Sequence, residues 1–251
     1  MNTRIKTAAE IVSMRESGRI LAEILTKLER MVEPGVSTKD IAVVAARELQ
    51  AYQVGAPFLG YQGFPDVICI SLNDEVVHGI PRSDRIIKDG DLVSLDFGVT
   101  YRGMITDSAL TVIAGKPKSN QAVELIKYTQ GSLDEGIAVV RDNIRTGDIA
   151  AAIETVLKRH NYGIVRDLVG HGVGHELHED PNIPNYGRPH TGPWLKAGMT
   201  IAIEPMATLG SDQVTLEPDG WTVRTRDYSL SAHFEHTVLI TEEGAEILTQ
   251  R

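Results

Sequence analysis

The sequence offers little that would place the protein in a membrane or outside the cell. Cys69 is the only cysteine, so no intramolecular disulfide can form, and this usage fits a reducing compartment. No apolar run approaches the roughly 20 residues that span a bilayer, and the N-terminal residues lack the apolar core and cleavage site of a secretion signal. A formal net charge of −9 disfavours general nucleic-acid binding. We therefore expect a cytoplasmic protein without membrane association or direct nucleic-acid specificity.

A pair of helices followed by apolar strands occurs twice along the 251 residues. Apolar residues recur at helical spacing in each helix, and the turn signals E-P-G-V-S and R-T-G separate the two helices of each pair. We predict a single domain, residues 1–251, made of related halves at about 8–114 and 119–248. The predicted elements are helices over 8–31, 38–52, 119–141 and 148–160 and strands over 67–72, 91–99 and 104–113.

Overlaying the two halves aligns acidic residues with each other. Asp96 falls on Glu204, and each ends an apolar strand segment. With an insertion in the second half, Asp107 falls on Glu235. Short apolar strings overlay by chance, but the coincidence of the acidic positions favours a repeat with two carboxylates in each half.

Turn signals predict how each acidic pair is arranged. A turn centred between Tyr101 and Arg102 would place the two aspartates directly opposite each other in an antiparallel hairpin. In the second half, a connection centred on Asp219 and Gly220, within a Pro-Asp-Gly turn, would do the same for the two glutamates. Two hairpins would then each present a pair of carboxylates.

Four carboxylates that face one another need a compensating charge. Like charges directly opposite destabilise a sheet, and burying bare anions costs several kcal/mol for each charge. The only basic residue between Asp96 and Asp107 is Arg102, which lies in the predicted turn. An isolated Asp could simply lie at a strand edge, but the apolar run around Glu204 predicts burial. Bound cations explain the set best, and four carboxylates can hold two divalent ions.

The histidine-rich stretch V-G-H-G-V-G-H-E-L-H-E-D-P, at 169–181, could supply a nitrogen ligand. Either His171 or His178 could fill that role, whereas we interpret His175 as solvated. A mainly carboxylate site with one imidazole suits Mn, Fe or Co better than structural zinc. Two bridged ions would generate a hydroxide and polarise a carbonyl, so the pattern predicts hydrolysis, of either phosphate esters or amides.

These motifs together resemble those of the type I methionine aminopeptidases, and the resemblance covers essentially the whole chain. It implies an α+β protein with the pita-bread fold, in which helices cover an antiparallel sheet and two half-domains are related by a pseudo-twofold axis. It also implies removal of N-terminal methionine when the second residue is small, by a hydroxide that bridges two metal ions. The matching motifs are N-D-E-V-V-H-G-I-P (73–81), L-D-F-G-V…I-T-D (95–107), G-H-G-V-G-H-E-L-H-E-D-P (170–181), I-E-P-M (203–206) and F-E-H-T-V (234–238).

The resemblance implies a role for each site residue. Asp107 and Glu235 would bridge both divalent ions, and Glu204 would also carry the proton of the attacking water. His178 would stabilise the oxyanion or the scissile carbonyl, and His78 would orient the substrate amide and assist departure of the amine. The implied metal ligands are Asp96, Asp107, His171, Glu204 and Glu235.

The resemblance also implies an apolar pocket for the methionine side chain. Gln62 and Leu177 depart from residues found in some family members, which concerns the shape of the pocket and leaves the metal ligands intact. A monovalent cation, Na or K, is implied at carbonyl oxygens near Asn73, Glu75 and Ser231. The implied substrate-binding residues are Tyr61, Phe64, Cys69, His78, Leu177, His178 and Trp221.

Three functions are compatible with this pattern. The leading hypothesis is a dinuclear, monomeric metalloaminopeptidase that acts on methionyl peptides and nascent chains, with Arg224 and Arg226 as a basic patch that could dock at a ribosome. The second is a proline-directed relative, an aminopeptidase P or prolidase. Those usually carry an added N-terminal domain, for which there is no room before Asp96. The third is an inactive peptide-binding module, but such modules lose metal ligands that this sequence retains.

Overall fold

The structure is a computed structural model that describes residues 4–251, and this part of the chain contains four α-helices. The first two begin with capping boxes, in which Thr7 exchanges hydrogen bonds with Glu10, and Ser37 does so with Asp40. The helices predicted from the sequence are confirmed, with small differences at their ends. They span Ala8–Glu29 (α1), Thr38–Tyr52 (α2), Asn120–Ala138 (α3) and Thr146–Arg159 (α4), and a short 3-10 helix covers Tyr61–Gly63.

The strands build one large antiparallel sheet and three small ones. Within residues 4–251 the strands are Ile68–Leu72 (β1), Glu75–Val77 (β2), Leu92–Tyr101 (β3), Met104–Ile113 (β4), Ile144–Arg145 (β5), Gly163–Ile164 (β6), Gly170–Gly172 (β7), Glu179–Ile183 (β8), Trp194–Leu195 (β9), Thr200–Ile203 (β10), Met206–Thr208 (β11), Val214–Leu216 (β12), Val223–Thr225 (β13), Ser231–His233 (β14), Glu235–Ile240 (β15) and Ala245–Ile247 (β16). The large sheet has the order β1-β3-β4-β15-β10-β7-β8, with β16 added beside β15. Helices and an antiparallel sheet in separate layers confirm the predicted α+β class.

One continuous hydrophobic core joins the helices to the large sheet. Buried residues from all four helices pack with those of β1, β3, β4, β10 and β15, because an apolar helix face and an apolar sheet face both gain free energy by leaving water. Strands β3 and β10 are buried along almost their whole length. No helix in residues 4–251 combines the length and the apolar character needed to cross a lipid bilayer.

The turn between β3 and β4 lies one residue later than predicted. Tyr101 pairs with Met104, so the turn consists of Arg102 and Gly103 rather than being centred between Tyr101 and Arg102. Both turn residues have positive φ, 48° and 79°, the conformation of a type I′ turn, whose twist matches that of a hairpin. Glycine adopts this conformation without steric cost, which fixes the turn at this position.

The shifted turn changes the predicted pairing of the aspartates. Asp96 pairs with Ala109 and Asp107 pairs with Gly98, so the prediction that the aspartates lie directly opposite each other is wrong. They are diagonal neighbours on the same face of the hairpin, and this separation still lets long polar side chains interact. The two carboxylates therefore stay on one side of the sheet.

The second hairpin has the predicted centre. Strands β10 and β15 pair up to Ile203 and His236, and β11–β14 and β12–β13 continue the same register to the turn at 217–222. Extending the β10–β15 ladder by one residue places Glu204 opposite Glu235. The Pro-Asp-Gly turn signal therefore predicted the register of this long, bent hairpin correctly.

The segment before α1 is held by a buried ion pair. Lys6 Nζ lies 2.8 Å from Glu179 Oε2, and the two side chains are 0% and 5% exposed. The other oxygen of Glu179 accepts backbone N–H groups of His175, at 2.7 Å, and Glu176, at 3.2 Å. The pair therefore connects the start of the described chain to the loop between β7 and β8.

The interpretation of His175 as a solvated residue is wrong. Its Nε2 lies 2.7 Å from Glu10 Oε1, and its Nδ1 lies 3.5 Å from Glu179 Oε1, with the side chain 25% exposed. The loop sequence gives no sign of this environment, because the partner Glu10 comes from the first turn of α1.

We expect Lys6→Met to lower the free energy of unfolding by about 3–5 kcal/mol, because removing one partner leaves the other charge buried and unpaired. Urea unfolding of the metal-free protein measures this loss without a contribution from bound ions.

Arg15→Met is the matched control for this change. The Arg15–Glu246 pair has similar distances, but its side chains are 52% and 36% exposed, so we expect a loss below about 1 kcal/mol. Equal losses for the two variants would contradict a special role for the buried pair.

Candidate active site and metal centre

Five adjacent strands of the large sheet each bring one polar side chain to the same cavity. The strands follow the order β3, β4, β15, β10 and β7. Four of the side chains lie within their strands, and Glu204 comes directly after the end of β10. All five side chains line one cavity. In strand order they are Asp96, Asp107, Glu235, Glu204 and His171.

Three of the five form a compact set of possible metal ligands. Asp107, His171 and Glu235 are buried, and each offers one ligand atom within 4.8 Å of the others. Glu204 adjoins this set, since its Oε1 lies 3.4 Å from His171 Nε2. Carboxylate oxygens with one imidazole nitrogen are ligands that divalent transition metals accept.

The cluster also contains carboxylate oxygens without hydrogen-bond partners. Asp96 Oδ1, Asp107 Oδ1 and Glu235 Oε1 are buried and accept no hydrogen bond. Leaving a buried charged group unsatisfied is costly, so such oxygens call for a partner that the protein itself does not supply. The residues present therefore fit divalent metal ions.

Without a cation, burial and mutual repulsion disfavour the charged carboxylates. Burial raises the pKa of Asp107 to about 7. Burial and the charge of Asp107 raise the pKa of Asp96 well above its usual range. Burial and the neighbouring carboxylates do the same for the pKa values of Glu204 and Glu235. A bound cation would reverse these shifts, because it stabilises the charged form.

His171 has the protonation state of a metal ligand. Burial, with a smaller effect of His178, lowers its pKa to about 3, so the ring is neutral near pH 7. Its Nδ1 lies 2.9 Å from the carbonyl oxygen of Gly172 and donates its proton there. The lone pair is consequently on Nε2, the atom that lies beside Glu204.

An apolar pocket adjoins the cluster and contains every residue predicted for it. Phe64 and Trp221 contact edge to face, with ring centroids 5.1 Å apart. Cys69 pairs with Asp96 between β1 and β3, so the pocket wall continues directly into the carboxylate cluster. The apolar lining consists of Phe58, Tyr61, Phe64, Cys69, Leu177 and Trp221.

Phe58 lines the pocket but was not found from the sequence. It is 6% exposed and packs against Gly98 of β3, where an added Cβ would lie 2.9 Å from the Phe58 ring. A glycine inside an otherwise apolar strand can mark such a close approach, and this was the available signal.

The two further histidines predicted to act on the substrate also line the cavity. His178 Nδ1 shares a hydrogen bond of 2.7 Å with the Tyr61 hydroxyl, and the His178 ring lies 4.2 Å from that of His171. The ring of His78 lies 6.2 Å from that of Trp221, and burial lowers the pKa of His78 to about 4. Both histidines therefore lie between the pocket and the cluster.

Asn73, Glu75 and Ser231 come together outside this cavity. The Ser231 hydroxyl lies 3.0 Å from the carbonyl oxygens of both Asn73 and Glu75. The Glu75 side chain is engaged elsewhere, in an ion pair with Arg85. The monovalent-cation site at these residues stays a prediction.

His233 is a buried neighbour of the cluster that sequence reasoning missed. It is 1% exposed, and its Nε2 lies 3.5 Å from Glu204 Oε2. The available signal was its position two residues before Glu235, since alternate residues of an extended chain share a face.

Residues 12–242 match metallopeptidase family M24. The chain belongs to this family. The methionine aminopeptidase of Clostridium acetobutylicum is 44% identical over 245 residues, which cover 98% of each chain. The crystal structure of the Thermotoga maritima methionine aminopeptidase has a TM-score of 0.97 and 43% identity, covering 99% of this chain and 100% of that one. The prolidase of Pyrococcus furiosus has a TM-score of 0.79 at 24% identity, covering 98% of this chain and 65% of that one.

These similarities confirm the resemblance predicted from the motifs. The fold shared with both solved structures is the pita-bread fold, as predicted. Membership of the family makes the chain a metal-dependent peptidase, which agrees with the cluster of buried possible ligands. At 24% identity, the prolidase indicates the fold alone.

We expect the melting temperature of the metal-free protein to fall between about pH 6.5 and pH 8.5. A carboxyl group whose pKa is raised by folding binds more protons in the folded state, so stability is lost as pH rises through the folded pKa. The pKa values of His78, His171 and His233 are lowered, to about 4, 3 and 3. Those histidines favour folding as pH rises toward about 6.5 and add nothing above it.

Differential scanning calorimetry across this range, with Asp107→Asn beside the wild type, measures the effect. The variant should show a smaller fall, and Asp84→Asn, at a side chain 64% exposed, should match the wild type. A melting temperature that stays constant or rises over this range would show that the cluster does not control the pH dependence.

Proposed function

We propose that the protein is an aminopeptidase that removes methionine from the N-terminus of peptides and nascent proteins when the second residue is small. The observation that carries this proposal is an apolar pocket directly beside a buried cluster of four carboxylates and one imidazole. Such a cluster suits metal-dependent hydrolysis, and the pocket suits an unbranched apolar side chain. The names of the Clostridium and Thermotoga relatives support the same conclusion.

We further propose that the cluster holds two divalent ions, such as cobalt, manganese or iron. When bound, such ions lower the pKa of a water molecule and polarise the scissile carbonyl. Asp107 and Glu235, on the two middle strands β4 and β15, would contribute to holding both ions. Asp96 lies to one side of them, and Glu204 and His171 lie to the other, which supports one outer site on each side.

Glu204 is the residue to which we assign proton transfer. Its side chain is 13% exposed, so it lies at the boundary between the buried cluster and the open cavity. A carboxylate in this position can take a proton from the attacking water and return it to the departing amine. His171 Nε2 and His233 Nε2 lie 3.4 Å and 3.5 Å from its two oxygens.

His178 and His78 act on the substrate in this proposal. His178 supplies a hydrogen-bond donor to the carbonyl oxygen as negative charge develops there. The Tyr61 hydroxyl, 2.7 Å from His178 Nδ1, fixes the orientation of that ring. His78 contacts the substrate amide from the side of Trp221 and assists departure of the amine.

The pocket explains a preference for methionine. Its lining is mainly aromatic or aliphatic, together with Gln62 and Cys69, and the Cys69 thiol stays neutral because burial raises its pKa. Aromatic rings make favourable contacts with a thioether sulfur, and an unbranched side chain can adapt to a narrow pocket.

Location, assembly and ribosome contact stay predictions from the sequence: a cytoplasmic monomer that could dock at a ribosome. Arg224 of the basic patch already has intramolecular partners, because its Nε lies 3.3 Å from Asp74 and 3.2 Å from Glu217. Arg226 contacts Gln213 at 3.2 Å. If this patch contacted a ribosome, Arg224 would therefore bind there as well as pair with Asp74 and Glu217.

We expect the protein to hydrolyse Met-Ala-Ser in the presence of Co(II), Mn(II) or Fe(II). Cleavage of Leu-Ala-Ser and of X-Pro peptides should be at least about 100-fold slower, because the apolar pocket and the metal centre suit an N-terminal methionine followed by a small residue. Mass spectrometry of the released amino acid, with and without EDTA, measures both specificity and metal dependence. Faster cleavage of X-Pro peptides would favour a proline-directed peptidase, and no turnover with any ion would favour an inactive peptide-binding module.

Two kinds of variant should separate metal binding from catalysis. Asp96→Ala or Glu235→Ala should lose bound metal and activity together, because each removes a buried carboxylate of the cluster. His178→Ala should retain metal, as determined by elemental analysis, while kcat falls by about 100- to 1000-fold through loss of an oxyanion donor. Weak metal binding by His178→Ala would instead make His178 a ligand.

A further inference from the structure

His233 is a fully buried histidine whose ring is unsatisfied. The residue is 1% exposed, and neither Nδ1 nor Nε2 has a hydrogen-bond partner. Buried polar groups in native proteins are nearly always hydrogen-bonded, so an exception requires an explanation.

The position of His233 is fixed by its backbone rather than by its ring. Its N–H donates to Thr111 Oγ1 at 2.9 Å, and its carbonyl accepts from the same hydroxyl at 2.8 Å. The residue also pairs with Met206 between β14 and β11. The protein therefore holds an imidazole at this point although the ring makes no bond that would stabilise the fold.

The nearest charged group to this ring is the Glu204 carboxylate. Glu204 Oε2 lies 3.5 Å from His233 Nε2, and Glu204 Oε1 lies 3.4 Å from His171 Nε2. The carboxylate thus lies between two imidazoles, one on each oxygen. The two rings differ in that His171 donates from Nδ1 to a backbone carbonyl, whereas His233 has no acceptor at Nδ1.

This difference separates the roles of the two histidines. Because the proton of His171 is on Nδ1, its Nε2 offers a lone pair to a metal. Nothing in the described surroundings holds a proton on Nδ1 of His233, and His233 is not in the compact ligand set of Asp107, His171 and Glu235. An ionised carboxylate can only accept hydrogen bonds, so a neutral imidazole facing Glu204 must present an N–H to it.

We propose that His233 Nε2 donates a hydrogen bond to Glu204 Oε2 in the metal-loaded enzyme and thereby orients the Glu204 carboxylate toward the metal centre. His233 is then a positioning residue, and the inference rests on the metal-dependent function proposed above. The separation of 3.5 Å is longer than an ordinary hydrogen bond, but such contacts often tighten only when a site is loaded. Partners of this kind, behind the ligands, set both metal affinity and ligand orientation.

Substitutions that keep or remove a donor at the Nε2 position test the proposal. His233→Gln can present an amide N–H near that position, whereas His233→Leu has a similar size and no donor. We expect His233→Leu to weaken Co(II) binding by about 10- to 100-fold, measured by competition with a chelator, and to shift the visible absorption bands of bound Co(II). His233→Gln should bind Co(II) within about threefold of the wild type, which corresponds to less than about 1 kcal/mol.

Activity gives an independent measurement of the same effect. In His233→Leu saturated with metal, kcat for Met-Ala-Ser should fall while KM stays within about twofold, because Glu204 acts on the water and not on substrate binding. His233→Gln should recover most of this loss. A variant that merely loosened the fold would not be rescued by an amide and would lower the melting temperature of the metal-free protein.

Several results would overturn the proposal. One is wild-type Co(II) affinity and an unchanged spectrum in His233→Leu, and another is equal loss in the Gln and Leu variants with unchanged melting temperatures. If the variants do not fold, nitrogen-15 NMR of the Zn(II)-loaded wild type decides, since a proton on Nδ1 of His233 rather than on Nε2 excludes the donor role. Failure of the wild type to bind any divalent ion would instead overturn the function proposed above.

Discussion

Repulsion among four carboxylates buried side by side is the constraint on which this structure depends. Burial raises the pKa values of all four, and three of them carry an oxygen without a hydrogen-bond partner. A flexible scaffold would relieve such repulsion by moving the side chains apart. Here each carboxylate lies in or beside a strand of one antiparallel sheet whose neighbours are almost entirely buried, so the four groups stay together and must be compensated by protonation or by a bound cation.

The seam between β4 and β15 joins the strands of Asp107 and Glu235, although its ladder pairs only Glu235 with Ala109 and His236 with Ser108. Hydroxyl groups reinforce it at short intervals. Thr237 Oγ1 accepts the N–H of Asp107 and donates to the carbonyl oxygen of the same residue, both at 2.8 Å. Ser108 donates to the carbonyl oxygen of Glu235 at 2.7 Å. These bonds fix the backbone of the two middle carboxylates, so the cluster is preorganised before any ion binds.

Local patterns in the sequence predicted most of the fold, and the errors come from contacts between distant segments. Helical periodicity gave the four helices, and the overlay of the halves gave the acidic positions. The predicted register of β3 and β4 was wrong because the turn lies one residue later than expected. Gly103 adopts positive φ without steric cost, whereas Tyr101 would be strained in that conformation. His175, Phe58 and His233 were misread or missed because their partners come from α1, β3 and the end of β10, and the local signals for Phe58 and His233 did not identify those partners. A turn depends on residues that are adjacent in the sequence, whereas the surroundings of a buried polar ring come from residues that are distant in it.

The strands at the two ends of the carboxylate-bearing set differ in chemistry, which gives the cavity two unlike sides. The order β3-β4-β15-β10 is symmetric about its centre and supports the proposed halves at 8–114 and 119–248. The strands outside it occupy corresponding positions but differ in chemistry. Beside β3, β1 brings Cys69 and an apolar pocket, and beside β10, β7 brings His171. A neutral thiol in an apolar wall suits an apolar side chain, whereas a neutral imidazole suits a metal ion. In the proposed function, the four central strands would supply the carboxylates, and the two unlike edges would set where the methionine side chain and the reacting carbonyl lie.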